Sequence, residues 1–219
     1  GLRALEESTR RALQERVVTA ELIAQGVDKT LQKALGNLQI FASAQAVNLE
    51  DTDPTLEGQA LEDLYTFSGP FLMVYLTNRQ GQVIFTQPQP PSAITPAPSQ
   101  SLALSQAFQD GESHITSLSP EAASQRPLLS LAVPVKASDG RVSGVVGGYI
   151  DLSQDGTSRL IQPLRLGETA YVEVVNEEGR VMATTRARAI GREREETEYA
   201  AHFANLIQDQ KATNETCYR

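Results

Sequence analysis

Apolar residues recur through the first stretch of the chain at alternating intervals of four and three: Leu13, Val17, Ala20, Ala24, Val27, Leu31, Ala34, Leu38 and Phe41. Such a seam predicts one long helix from about Leu2 to Val47, unbroken by proline and on the order of 65 Å long at 1.5 Å per residue. A stripe of this kind serves either as a core face or as a paired stalk. One helix accommodates both, its N-terminal half projecting and the half after about Val27 docking on a sheet. Beyond it the period shortens to that of strands. Asp53-Pro54 reads as an N-cap with proline at the first helical position, opening a short helix to about Phe67. Phe71–Leu76 and Gln82–Thr86 then flank Asn78-Arg-Gln-Gly81, a β-hairpin whose first strand is apolar on both faces.

The pattern continues through an uncharged, proline-rich loop, a helix from about Ser99 to Asp110, and three strands at Ile115–Leu118, Leu128–Ala137 and Val142–Leu152. Pro134 marks a bulge or an edge. Gly144, Gly147 and Gly148 inside a strand mark close backbone approach or a bend. After a polar link the text restarts. Val74 to Val83, with its Asn78…Gly81 turn, matches Val172 to Val181, with Asn176…Gly179, at a constant offset of 98 residues, so two related modules are expected. A charged stretch from Arg186 to Glu198 and a helix from Tyr199 to Gln210 close the chain.

Composition narrows the function classes. With 19 Lys+Arg against 27 Asp+Glu the 219-residue chain carries a net charge of −8, and no basic cluster with interleaved aromatics marks a nucleic-acid face. One Cys and two His allow neither an internal disulfide nor a structural zinc site. No apolar run of about 18 residues spans a membrane, and no signal-peptide pattern is present. The chain opens inside a helix-forming run and stops at Cys217-Tyr218-Arg219, which suggests a fragment of a longer protein.

The succession of long helix, hairpin, helix and three antiparallel strands, with the hairpin repeated, resembles the double Cache sensor domain. The likeness is carried by Phe71–Ile84, by Leu128–Val135 with Gly144–Leu152, and by Leu166–Val181. It implies an α+β fold: a helical stalk or dimerisation helix at 1–36, a membrane-distal PAS-like antiparallel-sheet module at 37–152, and a membrane-proximal module at 153–219. That last module lacks the three strands that should follow its hairpin. The resemblance further implies a non-enzymatic domain outside the cytoplasmic membrane, held by flanking transmembrane helices, homodimeric through its first helix, and binding a small molecule in the distal module. Its parent would be a transmembrane receptor, foremost a histidine kinase, otherwise a chemotaxis receptor or a diguanylate cyclase. The amino-acid-binding subset of the family carries an Arg-x-Trp-Tyr cluster, and this chain has no Trp. Free amino acids held through that motif are therefore disfavoured.

Catalytic motifs are missing: there is no Gly-x-Ser-x-Gly, His-Glu-x-x-His or phosphate-binding loop. Sequence places neither a nucleophile nor a carboxylate beside His114, which reads as a surface or pocket-edge imidazole, and His202 reads as solvent-facing. Candidate ligand contacts are Tyr75 in the hairpin, Arg126 ahead of the next strand, and Tyr149 and Asp151, which alternation puts on one face. An arginine at a pocket mouth can hold a carboxylate with both arms, and a tyrosine can stack or donate a hydrogen bond. No cofactor is expected. The one alternative is a c-type haem at Cys217 if the native chain continues as Cys-x-x-Cys-His. A ligand-free structural ectodomain, with the helix as oligomeriser and the β modules as spacers, is the competing reading. A preformed polar pocket would separate it from a sensor.

Overall fold

The structure, a computed structural model, describes residues 2–44, 47–49, 55–89, 96–118, 128–152, 173–175 and 181–184. The chain divides into two compact units, residues 30–156 and residues 1–29 with 157–219. Helix α1 runs from Leu2 to Ala42. It stops at Ser43, whose hydroxyl donates to the carbonyls of Gln39 and Ile40 and so occupies acceptors at the helix end. That is five residues short of the Val47 end expected from periodicity. The predicted seam holds in part. Val27, Ala34, Leu38 and Phe41 are buried, whereas Ala20 and Ala24 are exposed.

In the unit of residues 30–156, α2 (Thr55–Phe67), β1 (Phe71–Thr77), β2 (Val83–Gln87), α3 (Leu102–Asp110), β3 (His114–Ser117), β4 (Leu128–Lys136) and β5 (Val142–Asp151) follow in order. Its five strands form one sheet in the order β2-β1-β5-β4-β3, every neighbouring pair antiparallel. With the long helix ahead of it, this is the α+β class expected. The first turn forms as its chemistry dictates: the Asn78 side-chain oxygen accepts from the amides of Gln80 and Gln82, and Gly81 takes φ 76°.

The register sorts the side chains into two layers. Met73, Tyr75, Leu128, Ala132, Val145 and Tyr149 lie on one face and pack with Ala103, Leu104 and Ala107 of α3. A bulge at β1, where Met73 pairs with Tyr149 while Phe71 pairs with Ile150, turns Leu72 toward this same core. Val74, Leu76, Leu131, Val146 and Ile150 are buried on the other face. There α2 approaches so closely that Gly58 stands against the Phe85 ring. The Asn37 side-chain amide donates to the Ser68 carbonyl just ahead of β1, tying the end of α1 to the sheet's entry.

The marked glycines and proline each find a physical reason. A Cβ at Gly147 would collide with the Tyr75 ring and the Leu131 carbonyl, and one at Gly148 with Phe71. Pro134 lies in an interior strand, yet β3 pairs with β4 only as far as Ala132, so beyond that point β4 is a local edge.

In the other unit, β6 (Glu173–Val175) pairs antiparallel with β7 (Val181–Thr184). The pairs Glu173↔Thr184, Val174↔Ala183 and Val175↔Val181 reproduce Tyr75↔Thr86, Leu76↔Phe85 and Thr77↔Val83 at the same 98-residue offset. The irregularity before the last pair recurs too. The repeat seen in sequence is therefore a repeat of hydrogen-bond register.

Candidate functional site

The face of the sheet under α3 is apolar except for a cluster of buried hydroxyls and, at its end, Asp151. Ser101 is the N-cap of α3, where its side chain accepts from the Leu104 amide at 3.1 Å. The same oxygen lies 2.6 Å from the hydroxyl of Ser130, the single polar residue in the buried part of β4. Tyr75 is fully buried, its hydroxyl lying against both serines without a hydrogen bond of good geometry to either. Tyr149 stacks obliquely on Tyr75, ring centroids 5.8 Å apart and planes at 49°, and donates to the Ala97 carbonyl at 3.3 Å. Gly147, directly opposite Tyr75 in the β1–β5 register, gives the Tyr75 ring room to lie flat over the sheet.

Of the residues expected from sequence, Tyr75 and Tyr149 thus come together. Asp151, 6% exposed, ends β5 two positions beyond Tyr149 and opposite Leu128. Arg126, Cys217 and His202 lie outside the described residues. Sequence reasoning missed Ser101 and Ser130. Ser130 carries a legible signal, a lone hydroxyl within Leu128–Val135, and Ser101 carries the helix-start signal. Thr116 belongs to the same row: it pairs with Ser130, which pairs with Tyr149, and its buried hydroxyl has no hydrogen-bond partner among the described residues.

His114 corrects a second expectation. A carboxylate does stand beside it: Asp110, one helical turn earlier, lies 2.8 Å from its Nε2. Helix α3 ends on Asp110 and the chain reverses through the left-handed Gly111, which brings the pair together. The imidazole, with a second hydrogen bond from the Glu112 amide, holds the Asp110 carboxyl below the usual carboxylate range.

Burial pushes the Tyr75 hydroxyl up to about 12 from 10.0, the two serines offsetting part of the effect. Burial raises Tyr149 as well, and the neighbouring Tyr75 adds to that. The unfolded chain ionises Tyr75 near 10 and the folded chain only near 12. The Tyr75 contribution is therefore constant below pH 10, and stability falls as the pH rises through that interval, by about 3 kcal/mol from this group. Urea denaturation across this range checks the prediction: the fall should be shallower in Tyr75→Phe, and an equal fall in the variant refutes it.

The cluster suits recognition rather than bond-making: hydroxyl donors and acceptors and two ring faces, with no base beside a nucleophile. Among the described residues no group of three or more His, Cys, Asp or Glu is placed to hold a metal ion, and no helix is long and apolar enough to cross a membrane.

No curated protein matches the chain by sequence. Among solved structures, the ligand-binding domain of the Pseudomonas fluorescens chemoreceptor CtaA, in complex with L-serine, is 21% identical with a TM-score of 0.60, over 86% of this chain and 77% of that one. The ligand-binding domain of the Pseudomonas aeruginosa PAO1 amino acid chemoreceptor PctC, in complex with GABA, gives 17% and 0.64, over 93% and 84%. An extracellular ligand-binding receptor from Desulfohalobium retbaense DSM5692 gives 15% and 0.66, over 92% of this chain and 35% of that one. These likenesses establish the fold. The family model for the Cache domain runs through residues 2–216, nearly the whole length, and with its repeated hairpin the chain belongs to the Cache domain family in its double form.

Proposed function

We propose that this chain is the extracytoplasmic ligand-sensing part of a transmembrane receptor, and that it takes a small polar molecule between α3 and the five-stranded sheet. Double Cache domains are sensing domains rather than enzymes. The single observation that carries the location is the buried cluster of Tyr75, Ser101, Ser130 and Tyr149. A spacer module gains nothing from hydroxyls in its core, since each buried polar group costs free energy unless it is well paired. Tyr75 and Tyr149 supply ring faces and hydroxyls, Ser130 a fixed donor or acceptor, and Asp151 charge at the end of the site.

In this reading residues 37–152 are the membrane-distal module, 153–219 the proximal one, and 1–36 the helix of a homodimer anchored by flanking transmembrane segments. Ligand would close α3 onto the sheet and bias α1 between discrete packings. A histidine-kinase parent is the expectation from the family. The CtaA and PctC structures come from chemoreceptors, which supports a chemoreceptor parent beside it. Both were solved with amino-acid ligands; lacking Trp, this chain would hold its ligand through tyrosine and serine hydroxyls instead.

Thermal-shift screening of the protein against a metabolite library tests the proposal. A ligand present at about 100 times its Kd adds about 3 kcal/mol to stability. Ser130→Ala and Tyr75→Phe should each weaken that ligand about tenfold or more while leaving the apo fold intact. A library without a single stabilising compound, or a ligand indifferent to both substitutions, would overturn it.

A further inference from the structure

The opposite end of α3 carries a second feature that the sensing reading does not use. Within residues 30–156 there are five Lys and Arg against twelve Asp and Glu. Three of those five cations, Arg79, Lys136 and Arg141, line one cavity of about 480 Å³. They arrive from separate elements: Arg79 from the β1–β2 turn, Lys136 from the end of β4 and Arg141 from the β4–β5 turn. Lys136 and Arg141 are neighbours through one hairpin, and Arg79 is brought to them from a second. We infer that this cavity is a binding site for a small multivalent oxyanion of the phosphate type, distinct from the hydroxyl cluster at the N-terminal end of α3.

The supports of the three side chains are built in. Asn78 braces the turn that presents Arg79 through two side-chain to backbone bonds, and the Phe108 ring of α3 stands beside Gly81 of that turn. The β4–β5 turn is closed by a bond from the Ala137 amide to the Arg141 carbonyl at 2.8 Å. The Lys136 stem lies alongside Gly111. Three carboxylates stand nearby, Asp110, Asp139 and Glu112, the last lining a neighbouring cavity with Lys136. Asp110 lines the cavity but is held by the His114 ring and the Glu112 amide. Asp139 pairs with Nε of Arg141 at 3.5 Å, both side chains largely exposed, which leaves the pair weak. Among the described residues neither Arg79 nor Lys136 has an ion-pair partner. Two guanidinium forks and one ammonium offer the planar, two-armed and point-charge contacts that oxyanions accept.

Isothermal titration of the 219-residue protein with sodium pyrophosphate at low ionic strength, against sodium chloride of matched ionic strength, tests the site. The expected result is saturable one-site binding that chloride does not reproduce, weakened at least tenfold in the Lys136→Gln/Arg141→Gln double variant. Arg10→Gln on the exposed part of α1 should leave it unchanged, and so should Tyr75→Phe, which separates this site from the proposed sensing pocket. Circular dichroism confirms that the variants fold. Absence of saturation at millimolar pyrophosphate, or binding that survives the double substitution, overturns the inference.

Discussion

Gly144→Ala is expected to destabilise the sheet by about 3 kcal/mol or more, a large effect for the addition of one methyl group. Gly144 sits on β5 beside β1, and a Cβ there would overlap the carbonyl oxygen of Thr77 and the Leu49 side chain. Leu49 can turn away, but the carbonyl cannot. Thr77 is clamped to the next residue of β5, its hydroxyl donating to the Val145 carbonyl at 3.2 Å and accepting from the Val145 amide at 3.1 Å. Relief requires separating the two strands and leaving buried backbone groups unpaired. Gly140→Ala makes the comparison. Gly140 has φ 81° but open space around its Cβ position, so only the left-handed conformation is penalised, by about 1 kcal/mol. Urea denaturation of the two variants measures the difference. A Gly144→Ala cost equal to or below that of Gly140→Ala would mean the strands do not approach as described.

Leu38→Ala should cost about 3 kcal/mol, and Leu22→Ala within about 0.5 kcal/mol, although both are leucines in the same helix. Leu38 is fully buried, and truncation leaves a cavity whose surroundings, among them Ala34 and Phe41 on the same stripe, relax only partly. Leu22 is 63% exposed and leaves no cavity. Thermal denaturation at matched protein concentration reads both. Equal losses would show that the buried stripe of α1 is wrongly placed. A loss at Leu22 that grows as the protein is diluted would instead reveal association through the exposed face, because oligomer stability depends on concentration.

These two leucines show where sequence reading stops. The seam through Val27, Ala34, Leu38 and Phe41 was visible as a period, yet Ala20 and Ala24 obey that period and are exposed. Periodicity states which residues share a stripe. It does not state how much of the stripe is covered.

The candidate site divides along the same line. Tyr75 and Tyr149 were recognisable as polar-tipped residues in strand patterns, and Asp151 followed from alternation. Their meeting, and the contact of Ser101 with Ser130 across 29 positions of sequence, depended on β5 lying between β1 and β4. The Asp110–His114 pair was missed for a different reason. The residues are only four apart, but the helix ends between them, so neither helical nor strand spacing applied.

What the sequence by itself determined was local: the long helix, the Asn78–Gly81 turn, the glycines that mark close approach, and the 98-residue repeat whose register returns in β6 and β7. Each is encoded by neighbours a few residues apart, through backbone conformational preference or hydrophobic period. The tertiary structure alone decided which strands adjoin, hence which hydroxyls share the face under α3 and which cations line one cavity. Strand order is set by burying both faces of the sheet at once, a condition on the whole unit that no short segment records.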